Sequence, residues 1–119
     1  VAYKMNNLED IKSQLREFVR VRNWDQFHSP KNLSMALIVE AAELVEHFQW
    51  LTEEESINIE SKKLSEVEEE IADIFIYLMR LSDKLNINLL DAVSNKIAKN
   101  EKKYPADLVS GSSKKYTEY

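Results

Sequence analysis

The chain has 119 residues, 44% hydrophobic and 31% charged, with a formal net charge of −5 at pH 7. That length supports one domain with a real core, and the negative balance argues against a nucleic-acid backbone as partner. No cysteine means no disulfide, thiolate zinc site or cysteine nucleophile, and no apolar run is long enough to span a membrane.

The absence of cysteine fits a cytoplasmic protein, and the opening residues do not read as a signal peptide, although a first residue of Val leaves the true start open. One Gly and two Pro leave few turns, which favours a handful of long helices and an all-α fold. After a polar lead-in where Asn6 or Asn7 can cap a helix, Leu8, Ile11, Leu15, Phe18 and Val19 recur at helical spacing through about Asn23. This first stripe is a packing surface.

Residues 23–32, NWDQFHSPKN, then place Trp24, Phe27 and His28 within five positions. They make either a hydrophobic plug at the end of a bundle or a stacking platform for a flat heterocycle, with His28, Lys31 and Asn32 as polar contacts. Ser29 before Pro30 reads as a helix start, the serine capping and the proline in the first turn. A helix over residues 33–50 follows, and Trp50 at its end either swings toward a ligand or closes the core.

Residues 51–61 read as an acidic loop with at most one helical turn, and residues 64–85 as the third long helix. Asn86 or Asn88 starts the last one, with Asn88 and Asp91 forming a pair like a capping box. Leu89, Val93 and Ile97 give it a packing stripe. Along one edge Lys96, Asn100 and Lys103 recur at i, i+4, i+7, either as a solvated face or as a phosphate counterpart to an acidic site. Tyr104 and Pro105 end it. Residues 1–105 are thus expected to form one domain, and residues 106–119 a tail, mobile or laid over a neighbouring subunit.

The two middle helices carry carboxylates where apolar residues belong. Glu40 and Glu43 on one, and Glu70 and Asp73 on the other, are each spaced i, i+3, about 60° apart on a helical wheel. Leu33, Ala36, Leu37 and Leu44 share the first sector; Val67, Ile74, Tyr77, Leu78 and Leu81 share the second. Two carboxylates about 5 Å apart repel by roughly 3 kcal/mol even at an effective dielectric near 20. Four inward acids therefore need a cation, and an all-oxygen set suits Mg²⁺ or Mn²⁺. Glu66 projects near Glu70 as an additional candidate ligand.

Both helices are also apolar away from their acids, at Met35, Ile38, Val39, Ala42 and Val45 and at Ala72, Phe75, Ile76 and Met79. A subunit this small cannot enclose two helices on every side, so a homo-oligomer is expected.

E-x-x-E at residues 40–43, then 26 residues, then E-x-x-D at residues 70–73 resembles the signature of the MazG-like all-α nucleoside triphosphate pyrophosphohydrolases. W-D-Q-F-H-x-P-K-N at residues 24–32, F-Q-W at 48–50, E-E-x-x-D-x-x-x-Y at 69–77 and K-x-x-x-N-x-x-K-Y-P at 96–105 resemble its dCTP pyrophosphatase branch. The likeness covers roughly residues 8–105. It implies a four-helix subunit assembled as a dimer or a dimer of dimers. Glu40, Glu43, Glu70 and Asp73 match Mg²⁺ ligands, with Mn²⁺ as substitute.

The resemblance further implies that Lys96, Asn100, Lys103 and Tyr104 contact phosphates or close the pocket. Trp24, Phe27, His28 and Trp50 match an aromatic base pocket, and Tyr77 a ring near the sugar that favours deoxynucleotides. The implied reaction is hydrolysis of a nucleoside triphosphate, dCTP among the candidates, to the monophosphate and pyrophosphate, a house-cleaning activity with Glu40 or Glu43 as base. Two other classes compete. A di-iron bundle wants Glu-x-x-His twice, whereas the positions three after Glu43 and Glu70 are Glu46 and Asp73, and His47 is four on. A non-catalytic partner- or metal-binding module explains the apolar faces but not four inward acids.

Overall fold

The computed structural model describes residues 3–113 and 117. The elements are α1 (Leu8–Val21), a 3-10 turn (Asp25–Phe27), α2 (Pro30–Glu46), α3 (Glu53–Ile57), α4 (Ser61–Lys84), α5 (Leu89–Lys103) and α6 (Ala106–Val109), with no strand among the described residues. The all-α expectation holds, with four long helices. The expected tail contains α6, while its residues 114–116, 118 and 119 lie outside the described residues. The chain divides into two compact units, Val1–Asn86 and Ile87–Tyr119.

Short polar side chains set the helix boundaries. Asn7 accepts the Asp10 N–H to start α1 and Ser29 accepts the Asn32 N–H to start α2, satisfying donors that the first turn leaves unpaired. Thr52 and Glu55 cap α3 reciprocally. That box needs Thr52 in an extended conformation (φ −72°, ψ 165°), so the chain has to leave the helix first. This is why α2 stops at Glu46, with turns at residues 47–50, and does not reach Trp50 as its apolar pattern suggests. At the far end of α1, Asn23 is left-handed (φ 54°), and the Asn23 and Trp24 N–H groups return to the carbonyls of Arg20 and Val19. The pattern is a Schellman motif with asparagine in the place glycine usually takes. Asn86 (φ 55°) ends α4 similarly, its N–H on Asp83 O.

In the first unit α2 packs along α4 and α1 packs on α4. The α2–α4 pairing is antiparallel: approaching from opposite ends, His28 just before α2 meets Arg80, Glu40 meets Glu70, and His47 faces Glu66. Leu33, Val67, Val19 and Met79 are its buried apolar side chains. Two residues of α4 depart from the helical projection. Leu78, expected inward, is 38% exposed, and Met79, expected outward, is 4% exposed. The cause is α1, which covers a second face toward the C-terminal end of α4, where Arg16 grips Asp83 and Ser82 is buried. Met35, Ile38, Val39 and Val45 on the outer side of α2 stay exposed, as their all-round pattern anticipated.

In the second unit Asn88 caps α5 by accepting the Asp91 N–H, and the Tyr104 N–H closes its end on Asn100 O at 2.9 Å. Val93 and Ile97 on its stripe are exposed. No helix among the described residues is long and apolar enough to cross a membrane.

Candidate functional site

The antiparallel pairing brings the i, i+3 carboxylates of α2 against those of α4. Glu40, Glu43 and Glu70 each offer an oxygen within 4.8 Å of the others. Asp73 stands at the edge of this trio as an exposed residue, yet its charge acts on Glu40. The Glu40 carboxyl is pushed up to about 7, first by burial, then by hydrogen bonding to Glu70 and Glu43 and by the charges of Glu43 and Asp73. Those hydrogen bonds exist only while a proton is shared; ionised carboxylates are acceptors alone. Glu40 Oε2 and Glu70 Oε2 are out of solvent with no hydrogen-bond partner.

Two shielded oxygens without a donor, inside a cluster of hard ligands, are what a divalent cation would satisfy. The residue set fits such an ion. Glu66 does not belong to it, being engaged by Lys63 at 3.6 Å and facing His47 at 3.8 Å. Tyr77, one turn on from Asp73, does adjoin the cluster: its phenol is raised by burial and then by the charges of Glu40 and Asp73.

The aromatic connection is held from two sides. Trp24 meets the Phe18 ring edge-on at 5.8 Å between centroids, and the Arg22 guanidinium lies 3.7 Å from the same ring. The Asn32 side chain donates to Phe27 O at 3.0 Å, which ties the 3-10 turn to the start of α2 and gives this expected ligand contact a structural use. Phe27 and Lys31 are exposed, His28 is half-buried, and Trp50 is 86% exposed. Lys96, Asn100, Lys103 and Tyr104 are exposed residues of the second unit, at α5 and its end.

Sequence reasoning missed the residue that holds His28. Arg80, with its side chain 5% exposed, donates from Nε to His28 Nδ1 at 3.4 Å and from Nη2 to Asp25 Oδ1 at 3.0 Å, and its Nη1 lies 3.6 Å from Asp83 Oδ2. Arg16 grips Asp83 with two hydrogen bonds at 2.7 and 2.5 Å, and Lys84 reaches Asp25 at 2.6 Å. The signal was present: Arg80 follows Asp73 and Tyr77 at i+7 and i+3, on the acid stripe itself.

A MazG-like family model matches residues 35–119, reaching into the tail that the motifs left out. Human dCTP pyrophosphatase 1 is 42% identical, and the rat protein of that name 40%, each over 113 residues and 93% of this chain. The chain spans 66% of the length of those relatives. A crystal structure of a pyrophosphatase from Archaeoglobus fulgidus is similar with a TM-score of 0.80 and 42% identity, over 88% of this chain and 98% of that one.

Proposed function

The chain belongs to the MazG-like family, and on that premise we propose that it is a Mg²⁺-dependent nucleoside triphosphate pyrophosphohydrolase. Its substrates are deoxynucleotides, dCTP foremost, and its products the monophosphate and pyrophosphate. The observation that carries this reading is the trio Glu40, Glu43 and Glu70 with its two shielded, donorless oxygens. Relatives named dCTP pyrophosphatase and pyrophosphatase support the reaction and the substrate.

Glu40, Glu43, Glu70 and Asp73 would hold Mg²⁺, or Mn²⁺ in its place. Bound there, such an ion would supply charge neutralisation for the triphosphate and the leaving group. Glu40 or Glu43 takes the proton of a water whose oxygen attacks the α-phosphorus in line, and the bond to the bridging oxygen breaks as pyrophosphate departs. Tyr77, beside the acids, packs under the sugar, where a flat ring disfavours a 2′-hydroxyl. Trp24, Phe27, His28 and Trp50 receive the base with Lys31 and Asn32 at its rim. Lys96, Asn100, Lys103 and Tyr104 contact phosphates, an assignment supported by their motif.

The exposed Met35, Ile38, Val39 and Val45 support a homodimer or a dimer of dimers. The enzyme works in the cytoplasm on the nucleotide pool. The test is product analysis over a panel of ribo- and deoxynucleoside triphosphates, with Mg²⁺ and with EDTA. Monophosphate plus pyrophosphate, lost in EDTA, is expected. Orthophosphate plus diphosphate would mean attack at the γ-phosphorus, and no turnover on any substrate would leave a binding module.

A further inference from the structure

Glu70, Asp73, Tyr77 and Arg80 follow one another on α4 at i, i+3, i+7 and i+10, a single stripe. At 1.5 Å of rise per residue, Arg80 lies about 10 Å along the axis from Asp73. That is about the reach from the phosphates of a nucleotide to its base. Around Arg80 the charges are over-balanced. Arg16 already answers Asp83, and Lys84 already answers Asp25. Arg80 is therefore a surplus cation for pairing purposes, yet it is the most deeply buried of the three, and two carboxylates fix its plane. What it adds is the Nε–H directed at His28 Nδ1.

We propose that Arg80 is a positioning residue that holds His28 in its neutral, Nε2-protonated form, so that His28 offers the nucleobase a hydrogen-bond donor. A neutral imidazole has one donor and one acceptor, so an Nδ1 that accepts leaves the proton on Nε2. The recognised feature is then a lone pair on the base, a ring nitrogen or a carbonyl oxygen. Burial first and then the Arg80 charge push the imidazole below its ordinary value; Lys84 adds to the fall and Asp25 opposes it. With the Nδ1 lone pair taken by Arg80 and Nε2 already protonated, no ring nitrogen is left to accept a proton from water, which separates His28 from the role of base. The substrate side of this inference rests on the nucleotide reading above; the tautomer does not.

The first measurement is long-range ¹H–¹⁵N correlation of the imidazoles in the metal-free wild-type protein at neutral pH, with His47→Gln to assign the two rings. A bare Nδ1 and a protonated Nε2 on His28 are expected; a protonated Nδ1 or averaged shifts would overturn the proposal, whatever the enzyme hydrolyses. The second is Arg80→Lys, which keeps a cation between Asp25 and Asp83 but has no Nε–H. Mixed His28 tautomers and a KM for the preferred triphosphate raised roughly tenfold, with the smaller change in kcat, are expected. In that background His28→Gln, whose amide carries its own donor, should recover most of the lost KM and His28→Ala should not. An unchanged tautomer in Arg80→Lys, or a loss confined to kcat, would overturn it. Absence of turnover in the wild type would sink the hydrolase reading alone.

Discussion

Helix α4 carries two charge clusters in opposite states. At Glu70 and Asp73 it meets Glu40 and Glu43, acid against acid, with two oxygens lacking any donor. At Arg80 and Asp83 every carboxylate has a cation in contact, in a chain from Arg16 through Asp83, Arg80 and Asp25 to Lys84. The paired end needs no ligand to satisfy its charges, and Arg80 is free to hold His28 in place. The unpaired end costs stability as it stands, and a fold retains such a cost where function requires the charge. Burial alone would not have separated them; satisfaction of the buried groups does.

The largest effect expected from disturbing this contrast is at the unpaired end. Glu43→Gln or Asp73→Asn should lower kcat/KM at least about 100-fold, with unchanged helical circular dichroism. Turnover retained in either variant would remove that carboxylate from the metal set. At the paired end, removing the whole guanidinium should appear in folding as well as in KM. Arg80→Met removes the buried guanidinium that joins Asp25, Asp83 and His28, while Arg16 and Lys84 still answer the two carboxylates, and should cost about 1–3 kcal/mol in urea unfolding. A cost under about 1 kcal/mol would mean that Arg16 and Lys84 suffice.

The two ends should also respond to pH with opposite sign. Glu40 is raised from 4.5 to about 7, so the folded metal-free chain holds more protons than the unfolded one across that window. Its contribution is fully present below 4.5 and is lost as pH rises through about 7. Asp83 is held below its ordinary 3.8 chiefly by the Arg16 hydrogen bonds, and Asp25 chiefly by Lys84. Their contribution is present above 3.8 and is lost as pH falls through the lowered values. Thermal melts of the metal-free protein should therefore weaken on both sides of a mildly acidic optimum, and Mg²⁺ should restore only the alkaline side. Equal rescue on both sides would erase the distinction. The smallest effect is expected at Asn23, where Ala in a left-handed cap should cost about 1 kcal/mol in the same melts.

Much of this was legible in the sequence because it rests on short-range rules. Ser29 with Pro30, Asn7 and Asn88 sit where capping chemistry puts them. The repeated i, i+3 acids on apolar faces announced their own pairing. What failed required knowledge of a neighbour. Leu78 and Met79 exchange places because α1 covers a second face of α4, which a wheel drawn for one partner cannot show. Helix α2 ends early because Thr52 starts another helix. Arg80 was not singled out, since its partners Asp25 and Asp83 lie 55 and 3 residues away and only the fold assembles all three.

The surroundings of the two tryptophans make the protein its own optical probe. Trp24 is braced against Phe18, while Trp50 is 86% exposed in the single chain. Trp50 should therefore dominate the red edge of the emission spectrum and be the more readily quenched by acrylamide. A base stacking on it, or a second subunit covering it, would move that emission to the blue and slow the quenching. Nucleotide binding and subunit assembly can then be followed by fluorescence, without a label and without turnover.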